Sequence, residues 1–256
     1  MEATYKNAPI SFTSQGTGNP LVLLHGFLES KEIWQDFVVE LSAKRQVICI
    51  DLPGHGESGN FAEVHTMTDM AQAVKSVLDE LDIQQASFAG HSMGGYVSLE
   101  FQNIFPTIIN SLVLVNSTPQ ADSEERKANR DRAATLVLKN KRAFVSMAMS
   151  NLLTPENNKI FKSQIDILKK RALQFSSTGI YAAIKGMKIR TDHTELFAKF
   201  NGQKIVVAGK NDPVLEYNTI KNLAKRCNSK FYSLPDGHLS FLENQTELRE
   251  ILHLID

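Results

Sequence analysis

The chain has 256 residues, of which 42% are hydrophobic and 22% are charged, and its 28 basic side chains balance 28 acidic ones. These proportions are typical of a globular protein, and the lack of a basic excess argues against a general binder of nucleic acid or of anionic membranes. Two cysteines are too few for a disulfide framework, no apolar run approaches the roughly 18 residues that cross a bilayer, and the N-terminus does not resemble a signal peptide. We therefore expect a cytoplasmic protein without a nucleic-acid or membrane partner.

Short apolar strands alternate with helical patterns in the first part of the chain. The predicted strands cover residues 10–13 (as an edge strand), 21–24, 47–50, 86–89 and 112–115. The predicted helices cover residues 31–43, 66–81 and 92–105. Thr66 and Asp69 resemble a capping box at the start of the second helix. Strands that are apolar on both faces fit a parallel sheet covered by helices, and the alternation indicates an α/β fold.

The alternation is interrupted between residues 119 and 201, where the sequence is charged, helical in pattern and without convincing strands. The later predicted elements are a strand at 204–208, a helix at 217–226, a strand at 230–234 and a helix near 246–254. Residues 1–118 and 202–256 are therefore predicted to form one core domain, with a mostly parallel central sheet flanked by helices. Residues 119–201 are predicted to form a helical insertion in that domain.

The stretch Gly90-His91-Ser92-Met93-Gly94 fits the pattern G-x-S-x-G and lies between a predicted strand and a predicted helix. This context is that of a nucleophile elbow, a sharp turn that exposes a serine Oγ at the carboxyl end of the sheet. The glycines avoid clashes within such a turn, and the N-terminus of the following helix favours an oxyanion. The alternative is a glycine-rich turn in which Ser92 only caps the helix.

A serine nucleophile needs a histidine base, and the histidine needs a carboxylate that orients it. In this kind of fold the chain order is serine, acid, histidine. His238, in the loop after the last predicted strand, is the histidine in the expected place. Asp212 follows the strand that resumes the sheet and is the favoured acid. Asp236 is the rival, but its place two residues before His238 favours a role in the turn.

An enzyme that transfers acyl groups also needs N–H donors for the oxyanion. One is expected from the residue after the nucleophile, Met93, and the other from the loop after the first long apolar strand, where Phe27 N–H is the natural candidate. His25 in that loop precedes the serine, so we interpret it as a side chain that braces the loop. His55 is likewise interpreted as structural.

Five motifs occur in a fixed order and together resemble those of the α/β-hydrolase superfamily: LVLLHGF, DLPGHGES, GHSMGG, GKNDPV and DGHLSFLEN. The resemblance covers nearly the whole chain outside the insertion. It implies a triad of Ser92, Asp212 and His238, oxyanion donors at Phe27 and Met93, a helical cap at 119–201 over the site, and no metal or organic cofactor. The serine nucleophile differs from the aspartate of haloalkane dehalogenases and epoxide hydrolases.

The same motifs, with Trp34, look like those of carboxylesterases, enol-lactonases and the menaquinone-pathway lyase that forms SHCHC. That lyase usually carries arginine where this chain has Tyr96, which argues against the lyase. The expected function is that of a serine hydrolase whose partner is a small-molecule acyl substrate: a carboxylic ester, thioester or lactone, cleaved through an acyl-enzyme. The alternatives are a lyase that uses the same triad and a non-catalytic receptor for small molecules.

The predicted insertion contains apolar side chains at helical spacing, some of which are expected to line an acyl pocket. They are Phe144, Met147, Met149, Leu152, Phe161, Phe175, Tyr181 and Met187. Its first helical stretch also carries Arg126 and Arg130. We interpret these arginines as part of a solvated helix face, with binding of an anionic substrate as the alternative.

Overall fold

Eight strands, most of them buried on both faces, form the central sheet in the computed structural model, which describes residues 1–255. They are β1 (Glu2–Tyr5), β2 (Ala8–Gln15), β3 (Leu21–Leu24), β4 (Val47–Ile50), β5 (Ala86–His91), β6 (Ile109–Val115), β7 (Gln203–Gly209) and β8 (Lys230–Leu234). Their order across the sheet is β1-β2-β4-β3-β5-β6-β7-β8. The pairs β1–β2 and β2–β4 are antiparallel, and every later pair is parallel, so the predicted mostly parallel sheet is confirmed.

The N-terminal edge of the sheet differs from the sequence prediction. The strand predicted at 10–13 lies inside β2, and β1 forms the edge beyond it. Lys6 and Asn7 have φ angles of 48° and 62°, the geometry of a two-residue hairpin turn, and Tyr5 pairs with Ala8 across that turn. The prediction missed β1 because the Lys-Asn pair lacks the glycine that usually marks such a turn.

The helices surround the sheet. In chain order they are α1 (Gln35–Leu41, after a 3₁₀ turn at Lys31–Trp34), α2 (Met67–Glu80), α3 (Met93–Ile104), α4 (Glu124–Lys139), α5 (Lys141–Ser150), α6 (Asn157–Ile160), α7 (Lys162–Ala172), α8 (Ser177–Lys188), α9 (Thr194–Lys199), α10 (Tyr217–Arg226), α11 (Ser240–Glu243) and α12 (Gln245–Leu252). Thr66 caps α2 as expected, with Asp69 N–H donating to its Oγ1 at 3.0 Å. Helices α4 to α9 all lie between β6 and β7. Within residues 1–255, no helix has both the length and the apolar character that crossing a membrane requires.

The two faces of the sheet each pack against their own hydrophobic cluster, because successive side chains of a strand point in opposite directions. Val22 and Leu24 of β3 belong to the cluster that α2 and α3 cover, whereas Leu21 and Leu23 belong to the other cluster. The second cluster also contains buried residues from the helices between β6 and β7, such as Phe144. This packing on both faces fixes the carboxyl ends of the parallel strands, where the segments that carry Ser92, Asp212 and His238 begin.

Candidate active site

Ser92 occupies a strained turn between the end of β5 and the start of α3. Its φ is 49° and its ψ is −113°, a conformation that costs a residue with a side chain about 1–3 kcal/mol. The turn is held by Ser92 N–H, which donates to Val115 O at 2.9 Å. A Cβ on Gly90 would lie 2.4 Å from the backbone of Gly94, and one on Gly94 would lie 2.4 Å from Leu24 O, so both positions require glycine. The predicted elbow geometry is therefore present, with Ser92 at its apex.

The structure brings the three residues of the expected triad together in one hydrogen-bonded chain. His238 Nε2 lies 3.0 Å from Ser92 Oγ, and His238 Nδ1 lies 2.8 Å from Asp212 Oδ2. Asp212 follows β7 and His238 follows β8, so all three residues lie at the carboxyl edge of the sheet. The carboxylate accepts a hydrogen bond from Nδ1–H, which leaves the lone pair of Nε2 facing the serine hydroxyl. This arrangement can remove the proton of Ser92 as its oxygen attacks a carbonyl carbon.

The Asp212 carboxylate is buried and fully hydrogen-bonded. Its Oδ1 accepts from the N–H groups of Val214 and Leu215 at 2.8 and 3.0 Å, and its Oδ2 also accepts from Asn116 Nδ2 at 3.2 Å. Burial alone would raise the pKa of Asp212, but attraction to His238 and these hydrogen bonds outweigh it and lower the pKa below its ordinary value. Asp212 is therefore a carboxylate that can offset the positive charge of a protonated His238.

Asp236 has different partners. It accepts from Asn157 Nδ2 at 3.1 Å and from Asn244 Nδ2 at 2.9 Å, and it makes no hydrogen bond to His238. These bonds connect the loop that carries His238 to α6 and to the start of α12. Of the two candidate acids, only Asp212 is hydrogen-bonded to His238. The contacts of Asp236 agree with the role in the turn that its sequence position suggests.

The two residues expected to supply oxyanion donors lie near Ser92 in the structure. Phe27, in the loop after β3, lines the cavity with Ser92, and Met93 begins α3 immediately after Ser92. Within residues 1–255, neither Phe27 N–H nor Met93 N–H donates to a protein acceptor. Unpaired N–H groups next to a serine hydroxyl are what an oxyanion requires.

The histidines of the β3 and β4 loops have structural contacts. His25 Nδ1–H donates to Gly26 O at 2.7 Å, and its Nε2 accepts from Leu52 N–H at 2.9 Å, so His25 braces the loop as expected. Burial lowers the pKa of His25, in agreement with a neutral ring. His55 packs 5.4 Å from His25 between ring centroids, and neither ring contacts Ser92.

A second buried chain of hydrogen bonds lies beneath the site and was not predicted. Glu29 Oε2 accepts from Gly26 N–H at 2.6 Å and lies 2.9 Å from His91 Nδ1, while His91 Nε2 lies 2.9 Å from His238 O. A carboxylate and a carbonyl only accept, so both nitrogens of His91 carry a proton and the ring is an imidazolium. Burial alone would lower the pKa of His91, but attraction to Glu29 outweighs it and raises the pKa.

A cavity of about 90 Å³ adjoins Ser92 and His238. Its lining residues are Phe27, Leu28, Glu29, Ser92, Tyr96, Arg130, Ala148, Leu152, Met187, Val214 and His238. Some of the apolar residues of 119–201 were expected to line an acyl pocket, and Leu152 and Met187 line this cavity. Phe144 and Met149 are buried in the second hydrophobic cluster, and Met147 is 48% exposed. The helices between β6 and β7 therefore close one side of this cavity.

The interpretation of Arg126 and Arg130 as a solvated helix face is wrong. Arg126 donates through Nη2 to Val214 O, in the loop after Asp212. Arg130 lines the cavity and donates through Nε to Asp122 Oδ2 at 3.1 Å. Arg126 and Arg130 therefore lie on the side of α4 that faces the loop after β7 and the cavity, which its charged composition did not indicate.

The protein is a member of the α/β-hydrolase family. The family model described as "alpha/beta hydrolase fold" matches residues 19–245, which includes the elbow, the loop after β7 and the loop after β8. Within residues 1–255, no group of three or more His, Cys, Asp or Glu side chains is arranged to hold a metal ion.

Known proteins show similarity over different lengths of the chain. This chain is 44% identical over 100 residues to the dihydrolipoyllysine-residue acetyltransferase component of the acetoin cleaving system of Pseudomonas putida. The match covers 39% of this chain and only 27% of that protein. A thermophilic esterase from Thermogutta terrifontis, solved with malate bound, is 28% identical, with a TM-score of 0.91 over 96% of this chain and 92% of its own. The enol-lactonase from Burkholderia xenovorans LB400 shares the fold, with a TM-score of 0.91 at 18% identity over 99% and 98% of the two chains.

Proposed function

We propose that the protein is a serine hydrolase that cleaves a small carboxylic ester, thioester or lactone through an acyl-enzyme intermediate. The observation that supports this most strongly is the continuous chain from Ser92 Oγ to His238 Nε2 at 3.0 Å and from His238 Nδ1 to Asp212 Oδ2 at 2.8 Å. The likeness to the Thermogutta terrifontis esterase, which extends over 96% of this chain, supports ester hydrolysis.

The reaction follows from the position of each group. Ser92 Oγ attacks the carbonyl carbon while His238 Nε2 takes its proton, and Asp212 stabilises the imidazolium that forms. The carbonyl oxygen becomes an oxyanion, which accepts hydrogen bonds from Phe27 N–H and Met93 N–H. As the tetrahedral intermediate collapses, His238 gives its proton to the leaving alcohol or thiol, and the acyl group stays on Ser92. Water then attacks the acyl-enzyme by the same route, and the acid is released.

Residues 119–201 are proposed to act as a cap that limits the size of the acyl group. This proposal is supported by Arg130, Ala148, Leu152 and Met187, which lie within that range and line the cavity next to Ser92. A cavity of about 90 Å³ has room for several water molecules or a short acyl chain. The acyl group of a long-chain lipid would require the cap to move.

The assignment is tested by labelling with a fluorophosphonate, which reacts with an activated serine. We expect the label on Ser92, and we expect Ser92→Ala to lose both labelling and the release of acid from short esters. Ser98→Ala is the matched control, since Ser98 lies on α3 as well and donates only to Gly94 O at 2.8 Å. A label on another serine, with activity retained in Ser92→Ala, would show that the nucleophile lies elsewhere. Binding of esters without turnover would favour a receptor, and turnover without hydrolysis would favour a lyase.

A further inference from the structure

We propose that the cavity contains a subsite for an anionic group, and that the substrate is an ester or lactone that carries a carboxylate a few bonds from its reactive carbonyl. The proposal rests on the proposed function, because it concerns the same cavity. Its central residue is Arg130, which lines the cavity together with Ser92 and His238.

Two guanidinium groups share a single buried carboxylate next to this cavity. Asp122, whose side chain is 0% exposed, lies 2.6 Å from Arg190 Nη1 and 3.1 Å from Arg130 Nε. Because one negative charge faces two positive ones, the group has one positive charge without a partner. An unpaired charge in a partly buried site is costly unless an anion joins it.

The excess charge is located on Arg130. The side chain of Arg190 is only 3% exposed, and besides Asp122 it donates to Gln120 O and Met187 O, both at 3.1 Å. Its guanidinium carbon also lies 4.1 Å from the centroid of the Tyr96 ring. Arg130 is 21% exposed and uses only its Nε, so within residues 1–255 its two Nη groups have no acceptor. These Nη groups form the planar fork that suits a carboxylate.

The other carboxylates near the cavity cannot neutralise Arg130. Glu29 lines the cavity, but its side chain is 1% exposed and is paired with the His91 imidazolium. Asp212 lies behind His238 and accepts from Val214 N–H, Leu215 N–H and Asn116 as well as from the histidine. A substrate carboxylate is therefore the group that would complete the charge balance of the cavity.

The test compares two esters of nearly the same shape: monoethyl succinate, and ethyl 4-methylpentanoate, in which an isopropyl group replaces the carboxylate. For the wild-type protein we expect kcat/KM to be at least about tenfold higher for monoethyl succinate, since a hydrogen bond to a charged group contributes that much or more. Arg130→Gln should lower kcat/KM for monoethyl succinate about ten- to hundredfold, mainly through KM, and should lower kcat/KM for the neutral ester by a clearly smaller factor.

Arg132→Gln is the matched control, because Arg132 is an exposed residue of α4 that donates to Asn129 Oδ1 on the same helix. It should change neither ester. Arg130→Lys keeps the charge and should retain part of the preference for monoethyl succinate, which provides a second variant if Arg130→Gln does not fold. Whether or not Arg130→Gln folds, the comparison of the two esters in the wild-type protein by itself tests for the anionic subsite.

Three results are distinguishable. Equal losses for both esters in Arg130→Gln would show that Arg130 only supports the fold of the cavity, and a wild-type preference for the neutral ester would show that no anionic subsite exists. Either result would overturn this inference and leave the serine hydrolase in place. If neither ester nor any other short ester is hydrolysed in a reaction that depends on Ser92, the proposed function itself fails.

Discussion

Glu29 Oε2 and His91 Nδ1 lie 2.9 Å apart in an ion pair whose side chains are at most 1% exposed. The pair connects three loops, because Glu29 also accepts from Gly26 N–H and His91 also donates to His238 O. The loop that carries Phe27 N–H, the turn that carries Ser92 and the backbone of the proposed base are thus held in one network. Glu29 and His91 are positioning residues in this arrangement, since neither contacts Ser92 Oγ in the structure.

The first prediction is that Glu29→Gln lowers kcat about tenfold or more and leaves KM nearly unchanged. Without the carboxylate, burial favours a neutral His91. The Gln amide can present either its oxygen or its NH2 where Oε2 accepts both bonds, so either His91 no longer donates to His238 O or Gly26 N–H loses its acceptor. Steady-state kinetics on a short ester measures the effect. Glu32→Gln is the control, because Glu32 is half-exposed, lies three residues later and pairs with Arg171 at the surface. An unchanged kcat in a less stable Glu29→Gln would limit the pair to a role in folding.

The second prediction concerns the pH dependence of stability. The pKa of His91 is raised above its ordinary value of 6.5, so its contribution is complete below pH 6.5 and is lost as the pH rises through the folded pKa. Burial alone would raise the pKa of Glu29, but attraction to His91 outweighs burial and lowers it. The contribution of Glu29 to stability is therefore complete above its ordinary pKa of 4.5 and is lost as the pH falls through the folded pKa. Both contributions to stability are therefore fully present only between pH 4.5 and 6.5.

Urea unfolding of the wild-type protein and of Glu29→Gln at a series of pH values measures how the contribution of the ion pair to stability depends on pH. The difference in the free energy of unfolding should be largest between pH 4.5 and 6.5, the ordinary pKa values of the two groups, and should narrow on both sides. Removing one partner of a buried pair costs about 3–5 kcal/mol, which sets the scale of the difference. A difference that does not vary with pH would mean that the pair is not ionised in the folded protein.

The elements that the sequence predicts well are those with local signals. The apolar runs of the parallel strands and the glycines around Ser92 are adjacent in the chain, so strand, turn and helix follow from them directly. The preference for Asp212 over Asp236 also followed from a local feature, the end of β7. The geometry that separates the two acids is nevertheless tertiary, because it depends on the loop after β8.

The features that the sequence did not indicate depend on contacts between distant residues. Glu29 and His91 are 62 residues apart, and nothing in HGFLES or GHSMGG shows that the two side chains meet. Arg130 was interpreted as solvated because α4 is charged around its whole circumference, and a helix of that kind has no apolar stripe that shows which side faces the protein. Asp122 lies before α4 and accepts from Arg130 Nε, but no sequence pattern distinguishes it from the other charged residues of this stretch.

The third prediction is that Leu152→Ala shifts the preferred acyl chain towards longer esters. Leu152 lines the cavity, and its truncation leaves space for additional methylene groups, each of which contributes about 0.8 kcal/mol when buried. The measurement is kcat/KM for a series of ethyl esters from acetate to decanoate. Met147→Ala is the control, because Met147 belongs to the same predicted cap but is 48% exposed. An unchanged chain-length profile in Leu152→Ala would place the acyl group outside this cavity.

The fourth prediction compares the two carboxylates that precede the proposed base. Asp212→Asn removes the negative charge of the carboxylate whose Oδ2 accepts from His238 Nδ1–H at 2.8 Å. The amide that replaces it can present an N–H to the ring instead of an acceptor. The imidazole then favours the tautomer with its proton on Nε2, which cannot accept the proton of Ser92. The loss of charge also removes the stabilisation of the imidazolium. We therefore expect kcat to fall by up to about four orders of magnitude, as it does for the acid of a serine triad.

Asp236→Asn is the matched variant, since it is the same isosteric change at a carboxylate that accepts from Asn157 and Asn244 and makes no bond to His238. It should lower kcat less than about tenfold, because it weakens hydrogen bonds of the loop and leaves the proton path intact. Circular dichroism and thermal unfolding of both variants establish that the comparison reports chemistry. The pH profile is a further distinction, because only Asp212→Asn should alter the dependence of kcat/KM on pH. If Asp236→Asn proves the more damaging with its fold intact, the proton relay does not run through Asp212, and the acid of the proposed triad is misassigned.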